Sequence, residues 1–247
     1  MSVVYLLGTN HWDLKGPERL RKFLGFVRPT AIGLEASEEL IKLRLSDRQY
    51  IKAEMEKQKQ FDKMMGGLYA ASGREASKDK DQMVFDFLAT QGYEIWAPYE
   101  HQQEENPSAQ IYPVHVHEVL ARRSAEVYRQ GLGEENIDDQ GGFTQNFLGE
   151  VDKMDPKQLQ EWVDSGYYDL EKIAEVYDDP QHLAFVRECD DVMEPRIRSV
   201  VSQNNGGGAT VIIAGNNHFF AGYGNNLNER LSDLSPTRVR LPEVDKF

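Results

Sequence analysis

The chain has 247 residues, 40% of them hydrophobic, and a formal net charge of −13. That apolar content suffices for one large α/β domain or two small ones. The negative balance argues against a nucleic-acid backbone or an anionic membrane surface as partner, because both need clustered Lys and Arg.

Met1-Ser2-Val3-Val4-Tyr5 has no basic n-region and enters an apolar run directly. No run approaches the roughly 20 residues a bilayer span needs. The expectation is a cytoplasmic protein with no secretory signal. The first strand is expected over Val3–Gly8, and a helix from Pro17 to Val27. Pro17 suits the first turn, and Leu20, Phe23, Leu24 and Val27 recur at helical spacing. Arg28-Pro29 stops it. A second strand, Thr30–Leu34, ends at Glu35. This βαβ step implies parallel strands.

Ser37 opens a long polar helix reaching about Gln60, and Met64–Lys80 reads as a loop. Asp81–Gln91 reads as an amphipathic helix capped by Gly92. Tyr93–Ala97 reads as a third strand ended by Pro98, which places Tyr99 and Glu100 at its exit. Residues 99–113 read as a polar loop. His115 and His117 form a His-x-His pair, but in a helix i and i+2 do not face each other, so a surface role is expected. The stretch 114–179 shows helices and no strand, with short helices over His117–Gln130, Pro156–Ser165 and Asp169–Tyr177. It reads as a helical cap inserted between the core halves 1–113 and 180–247.

Pro180–Gln203 reads as a long helix with Pro195 inside it. It carries Cys189, the chain's one cysteine. Neighbouring carboxylates disfavour a thiolate there, so Cys189 is taken as an ordinary helix residue. Thr210–Ala214 is a further strand, Asn216–Tyr223 a loop, Asn226–Leu234 a helix, and Thr237–Leu241 an edge strand. The fold class is therefore α/β, a mostly parallel central sheet flanked by helices, with the helical cap as an insertion.

Two strands end alike. Gly8-Thr9-Asn10-His11 follows Val3–Leu7, and Gly215-Asn216-Asn217-His218 follows Val211–Ala214. Open α/β sheets bind ligands beyond the carboxyl ends of their strands. His11, His218 and Glu35 are thus expected on one rim, as a metal site or a His/Glu acid–base site. No Gly-x-Ser-x-Gly elbow, phosphate loop or His-Glu-x-x-His occurs.

These motifs resemble the TraB/PrgY/Tiki family, within the erythromycin-esterase-like and ChaN-like fold group. The resemblance covers roughly residues 1–36 and 183–231. It rests on Gly8 to His11, Glu35, Gly215 to His218, and the Arg and Met of the penultimate helix, here Arg187 and Met193. It implies a hydrolase of amide or peptide bonds holding a divalent metal such as manganese, cobalt or zinc. His11 and His218 would be ligands and Glu35 a ligand or general base. Arg187 would bind substrate carboxylate or stabilise negative charge, and Asn10 and Asn217 would donate to an oxyanion. Tyr99 and Glu100 complete the expected substrate contacts, for a small molecule or peptide. Two alternatives stay open: a metal-free His/Glu hydrolase, and a non-catalytic domain that binds a small ligand or peptide.

Overall fold

The computed structural model describes residues 3–11, 13–53, 56, 90–114, 156–168, 180–204 and 207–246. Five strands form one parallel sheet: β1 (Val4–Thr9), β2 (Ala31–Leu34), β3 (Gln110–Pro113), β4 (Thr210–Gly215) and β5 (Thr237–Arg240), in the order β3-β2-β4-β1-β5. The helices are α1 (Gly16–Val27), α2 (38–53), α3 (Tyr93–Glu104), α4 (Pro156–Gly166), α5 (Pro180–Gln203), α6 (Asn216–Phe220) and α7 (Leu227–Arg230). Short 3-10 turns follow at Ser232–Leu234 and Leu241–Lys246. Among the described residues no helix is long and apolar enough to cross a membrane.

The central strands β1, β2 and β4 are buried along nearly their whole length. Parallel strands covered on both faces read as continuous apolar runs, which is why these three are plain in the sequence. Alternate residues supply two cores. Leu7, Ile32, Leu34, Val211 and Ile213 pack on one face with Leu20, Phe23 and Leu24 of α1. Leu6, Ile212 and Ala214 pack on the other with Met193, Ile197 and Val200 of α5 and Phe219 of α6. The connection leaving β1 runs to β2 on one side, and the connection leaving β4 runs to β5 on the other. The ends of β1 and β4 therefore bound a crevice where the winding reverses, the usual ligand position in such sheets.

Three expected elements are corrected. Tyr93–Ala97 is not a strand but the first half of α3. Tyr93, Glu94, Ile95, Trp96 and Ala97 are all buried, so the segment shows no polar face, and a short all-buried run carries no period to separate helix from strand. Gly92 enters α3 with φ 66°, in the left-handed region that favours glycine. The third strand lies further on, at Gln110–Pro113, inside the expected polar loop. It is an edge strand with exposed ends, and Pro113 is tolerated there because an edge leaves one side unpaired. The expected loop after β4 also begins as helix, since α6 follows Gly215 with no connector. The expected helices over His117–Gln130 and Asp169–Tyr177, the His115/His117 pair, the Met64–Lys80 loop and all but Thr90 and Gln91 of the expected helix Asp81–Gln91 lie outside the described residues.

Helix α1 meets α3 closely at Gly16. A Cβ there would lie 2.3 Å from Cζ of Tyr93, whose ring is fully buried. Gly16→Ala is therefore expected to destabilise by about 1–3 kcal/mol through overpacking. Helix propensity alone would favour alanine by up to about 1 kcal/mol. A urea midpoint equal to or above wild type would show that Tyr93 moves aside freely.

Candidate functional site at the carboxyl ends of the strands

Glu35 follows β2 directly, and its carboxylate reaches across to the end of β4. The Gly215 N–H donates to Oε2 at 2.7 Å, and His218 Nε2 lies 3.2 Å from Oε1. His218 sits in the first turn of α6, with its other ring nitrogen turned toward α5. There Nδ1 donates to Asp190 Oδ1 at 2.6 Å, while the Tyr223 hydroxyl donates to Asp190 Oδ2 at 2.7 Å. Asp190 is fully buried. The chain Tyr223–Asp190–His218–Glu35 thus holds one imidazole by both nitrogens between two carboxylates.

Charge follows from that geometry. Burial alone would lower the pKa of His218, but Glu35 and Asp190 outweigh it and push the group up to about 10. For Glu35, burial would raise the pKa. The His218 charge, the Gly215 N–H and His11 overcome this and hold it at about 2. At neutral pH the pair is an imidazolium and a carboxylate.

His11 stands in the turn after β1, and its Nδ1 lies 2.6 Å from Glu94 Oε1 near the start of α3. The Glu94 charge is the main cause pushing His11 up to about 9, and Glu35 adds to it. The His11 side chain is 66% exposed, so water screens much of that attraction. Glu35 thus acts electrostatically on both histidines, and His11, Glu35 and His218 each follow the carboxyl end of a sheet strand, β1, β2 and β4.

Beneath His11 lies a second polar knot. The Asn10 N–H donates to the Tyr167 hydroxyl at 2.9 Å, and the Tyr93 hydroxyl donates to the Asn10 carbonyl at 3.2 Å. The Asn216 amide donates to the Tyr167 carbonyl at 3.4 Å. Tyr167 follows α4, so the described end of the expected cap packs at the rim, against the exits of β1 and β4. The remaining residues of 114–179 outside 156–168 are not described beyond Val114.

Buried Asp13 anchors this knot. It accepts from Tyr167 Oη at 3.2 Å and Gln160 Nε2 at 3.0 Å. Arg19 joins Asp13, Asp164 and Asp245 through five hydrogen bonds of 2.7–3.2 Å, using every N–H of its guanidinium.

The other expected site residues are dispersed. Arg187 is exposed on α5 and donates to the Tyr223 carbonyl at 3.1 Å, so it braces the loop that carries Tyr223. Asn217 is half-buried on α6 beside His218. Glu100 lies six residues past Glu94, a helical rise of about 9 Å. There it joins Arg21, Arg48 at 3.2 Å and Lys52 at 2.6 Å. Tyr99 is half-buried, and burial and nearby Glu38 raise its pKa.

Sequence reasoning missed Asp190, Glu94 and Tyr223. Asp190 had a legible signal. Val186, Asp190, Met193 and Ile197 share the buried stripe of α5, and a carboxylate on an apolar stripe needs a partner.

Among the described residues, no group of three or more His, Cys, Asp or Glu side chains is placed to hold a metal ion. No family model matches the chain, and no curated protein or solved structure shows detectable similarity to it.

Proposed function

We propose that the chain is a hydrolase of an amide, peptide or ester bond, in which His218 and Glu35 act as an acid–base pair. The carrying observation is His218 itself, fixed by Asp190 on Nδ1 and facing Glu35 with Nε2, at the rim where α/β sheets bind ligands. Asp190 sets the orientation of the ring and stabilises its charged form, the role a buried carboxylate plays in hydrolytic triads.

The step balances. Glu35 takes a proton from water, and the resulting hydroxide adds to the carbonyl carbon. The bond to the leaving group breaks, and the leaving atom takes the Nε2 proton of His218. Glu35 is then a carboxylic acid and His218 a neutral imidazole, and one proton crossing the 3.2 Å contact restores the resting pair. The two pKa shifts are mutual, so the base strengthens as the acid gives up its proton. Protonated His11, with Asn10 and Asn217, supplies positive potential and donors for the developing oxyanion.

A metal-dependent reading keeps one observation in its favour. His11 and His218 both hold Nδ1 against a carboxylate, as metal-ligating histidines do. His11, His218 and Glu35 would hold the ion, which would lower the pKa of bound water. As placed, these three side chains do not converge as a ligand set, and the acid–base step needs no metal.

Titration of manganese, cobalt and zinc into wild type, His11→Ala, His218→Ala and Glu35→Gln separates the readings. The acid–base reading expects no stoichiometric metal in any of the four, and loss of hydrolysis in Glu35→Gln and His218→Ala that added metal does not restore. Stoichiometric binding in wild type that both alanine variants abolish would transfer the assignment to the metal reading.

A further inference from the structure

We propose that Arg240 is an oxyanion-binding residue of this rim, selecting substrates that carry a carboxylate or phosphate group away from the bond hydrolysed. This deepens the hydrolase reading and rests on it for the word substrate. Arg240 ends β5, in register with Gly8 of β1. Its guanidinium carbon lies 4.1 Å from the ring centre of Phe220 and 5.1 Å from that of Tyr168. Phe220 sits two residues after His218, against Gly8, so one aromatic ring links the acid–base pair to the arginine.

Rings that hold a guanidinium by its face leave the in-plane N–H groups for a bidentate oxyanion. Arg240 Nε is buried and has no hydrogen-bond partner among the described residues. Glu243 does not fill that role. Its Oε2 accepts the backbone N–H of Arg240 at 3.0 Å, and its Oε1 is 3.7 Å from Nη1, beyond hydrogen-bond reach. A buried donor with no partner is uncommon and asks what completes it. Arg238 lies over the same Phe220 ring at 5.2 Å, so two cations meet at this spot in a chain of net charge −13.

Strand spacing sets the scale. The ends of β4 and β5 flank β1, two spacings or about 10 Å apart. The oxyanion therefore sits on the order of 10 Å from the scissile bond, a distance suited to a dicarboxylic half-ester, an acidic peptide or a phosphorylated ester.

Two measurements on the full chain test this. Inorganic phosphate and succinate are titrated into wild type, Arg240→Gln and Arg240→Lys, each checked for a native melting transition. The expected result is one millimolar site in wild type, weakened at least tenfold in Arg240→Gln and less in Arg240→Lys, which keeps the charge but loses the planar fork. Whichever anion binds tighter names the source. Should Arg240→Gln not fold, weaker binding by Arg240→Lys carries the same meaning. The proposal is overturned by no binding of either anion to wild type, or by equal binding in the folded variants.

In the second measurement, p-nitrophenyl acetate is compared with p-nitrophenyl monoesters of C4 to C8 dicarboxylic acids. The preference for a monoester over acetate is expected to fall at least tenfold in Arg240→Gln, and an unchanged preference overturns the proposal. Absence of all ester hydrolysis in wild type would instead remove ester cleavage from the proposed function, while the anion titrations still decide the role of Arg240.

Discussion

Asp190→Asn is expected to lower kcat by about 10²–10⁴-fold with little change in KM, the range seen when an acid–base group loses its partner. The substitution keeps shape and hydrogen-bonding capacity but removes the charge that stabilises imidazolium. His218 should then titrate well below the value of about 10 that it has beside two carboxylates. Proton NMR of the ring C–H signals reads that change without any substrate. A His218 titration unmoved in Asp190→Asn would sink the assignment.

The same pair sets a pH window for stability. The folded pKa of His218 lies above its usual 6.5, so its contribution is complete below pH 6.5 and is lost as pH climbs through about 10. The folded pKa of Glu35 lies below its usual 4.5, so its contribution is complete above pH 4.5 and is lost as pH falls through about 2. Both act fully between pH 4.5 and 6.5. The alkaline decline in melting temperature attributable to His218 should be shallower in Asp190→Asn.

Arg19→Met is expected to cost about 3–5 kcal/mol, the penalty for leaving a buried charge without its partner. Arg19 is 3% exposed and Asp13 fully buried, so water replaces little of the lost interaction. Burial already raises the pKa of Asp13 against the pull of Arg19. Without Arg19 it rises further, and the carboxyl is driven toward its neutral form. The deficit in the variant should therefore be smaller at pH 5 than at pH 8. Pairing Arg19→Met with Asp13→Asn should recover part of the stability. Urea unfolding of the two single variants and the double variant provides the cycle. Additive losses in the double variant would mean that Asp13 and Arg19 do not depend on each other. Asp13 also accepts from Tyr167, which holds the Asn10 backbone, so Arg19→Met should loosen the turn that carries His11.

The layout of the sheet was legible where burial makes the pattern uniform. Leu6-Leu7, Ala31–Leu34 and Val211–Ala214 read as strands because nothing polar interrupts them. The paired Gly-x-x-His exits and Glu35 followed from those strand ends. Legibility failed where one physical setting imitates another. Tyr93–Ala97 is largely apolar because the first half of α3 is buried on all sides, and this hid Glu94, the partner of His11. Gln110–Pro113 is a four-residue edge strand with exposed ends and a terminal proline, and this hid β3. Asp190 was visible only as a neighbour of Cys189, while Arg187, one turn earlier, drew attention from an exposed position. The proton chain depends on which helix face meets α6, and one sequence read in linear order does not state that contact.

The strand order has a consequence for biogenesis. β4 lies between β1 and β2, so β1 has no neighbour to pair with, and β2 has only the edge strand β3, until Thr210–Gly215 arrives; the Thr9–Ala214 hydrogen bond spans 205 residues. During synthesis the apolar edges of Leu6, Leu7 and Ile32 are completed only once β4 has been made, and closing so long a loop carries an entropic cost. His218 and Glu35 meet in that same event, so the pair proposed here as acid and base forms only when β4 joins the sheet.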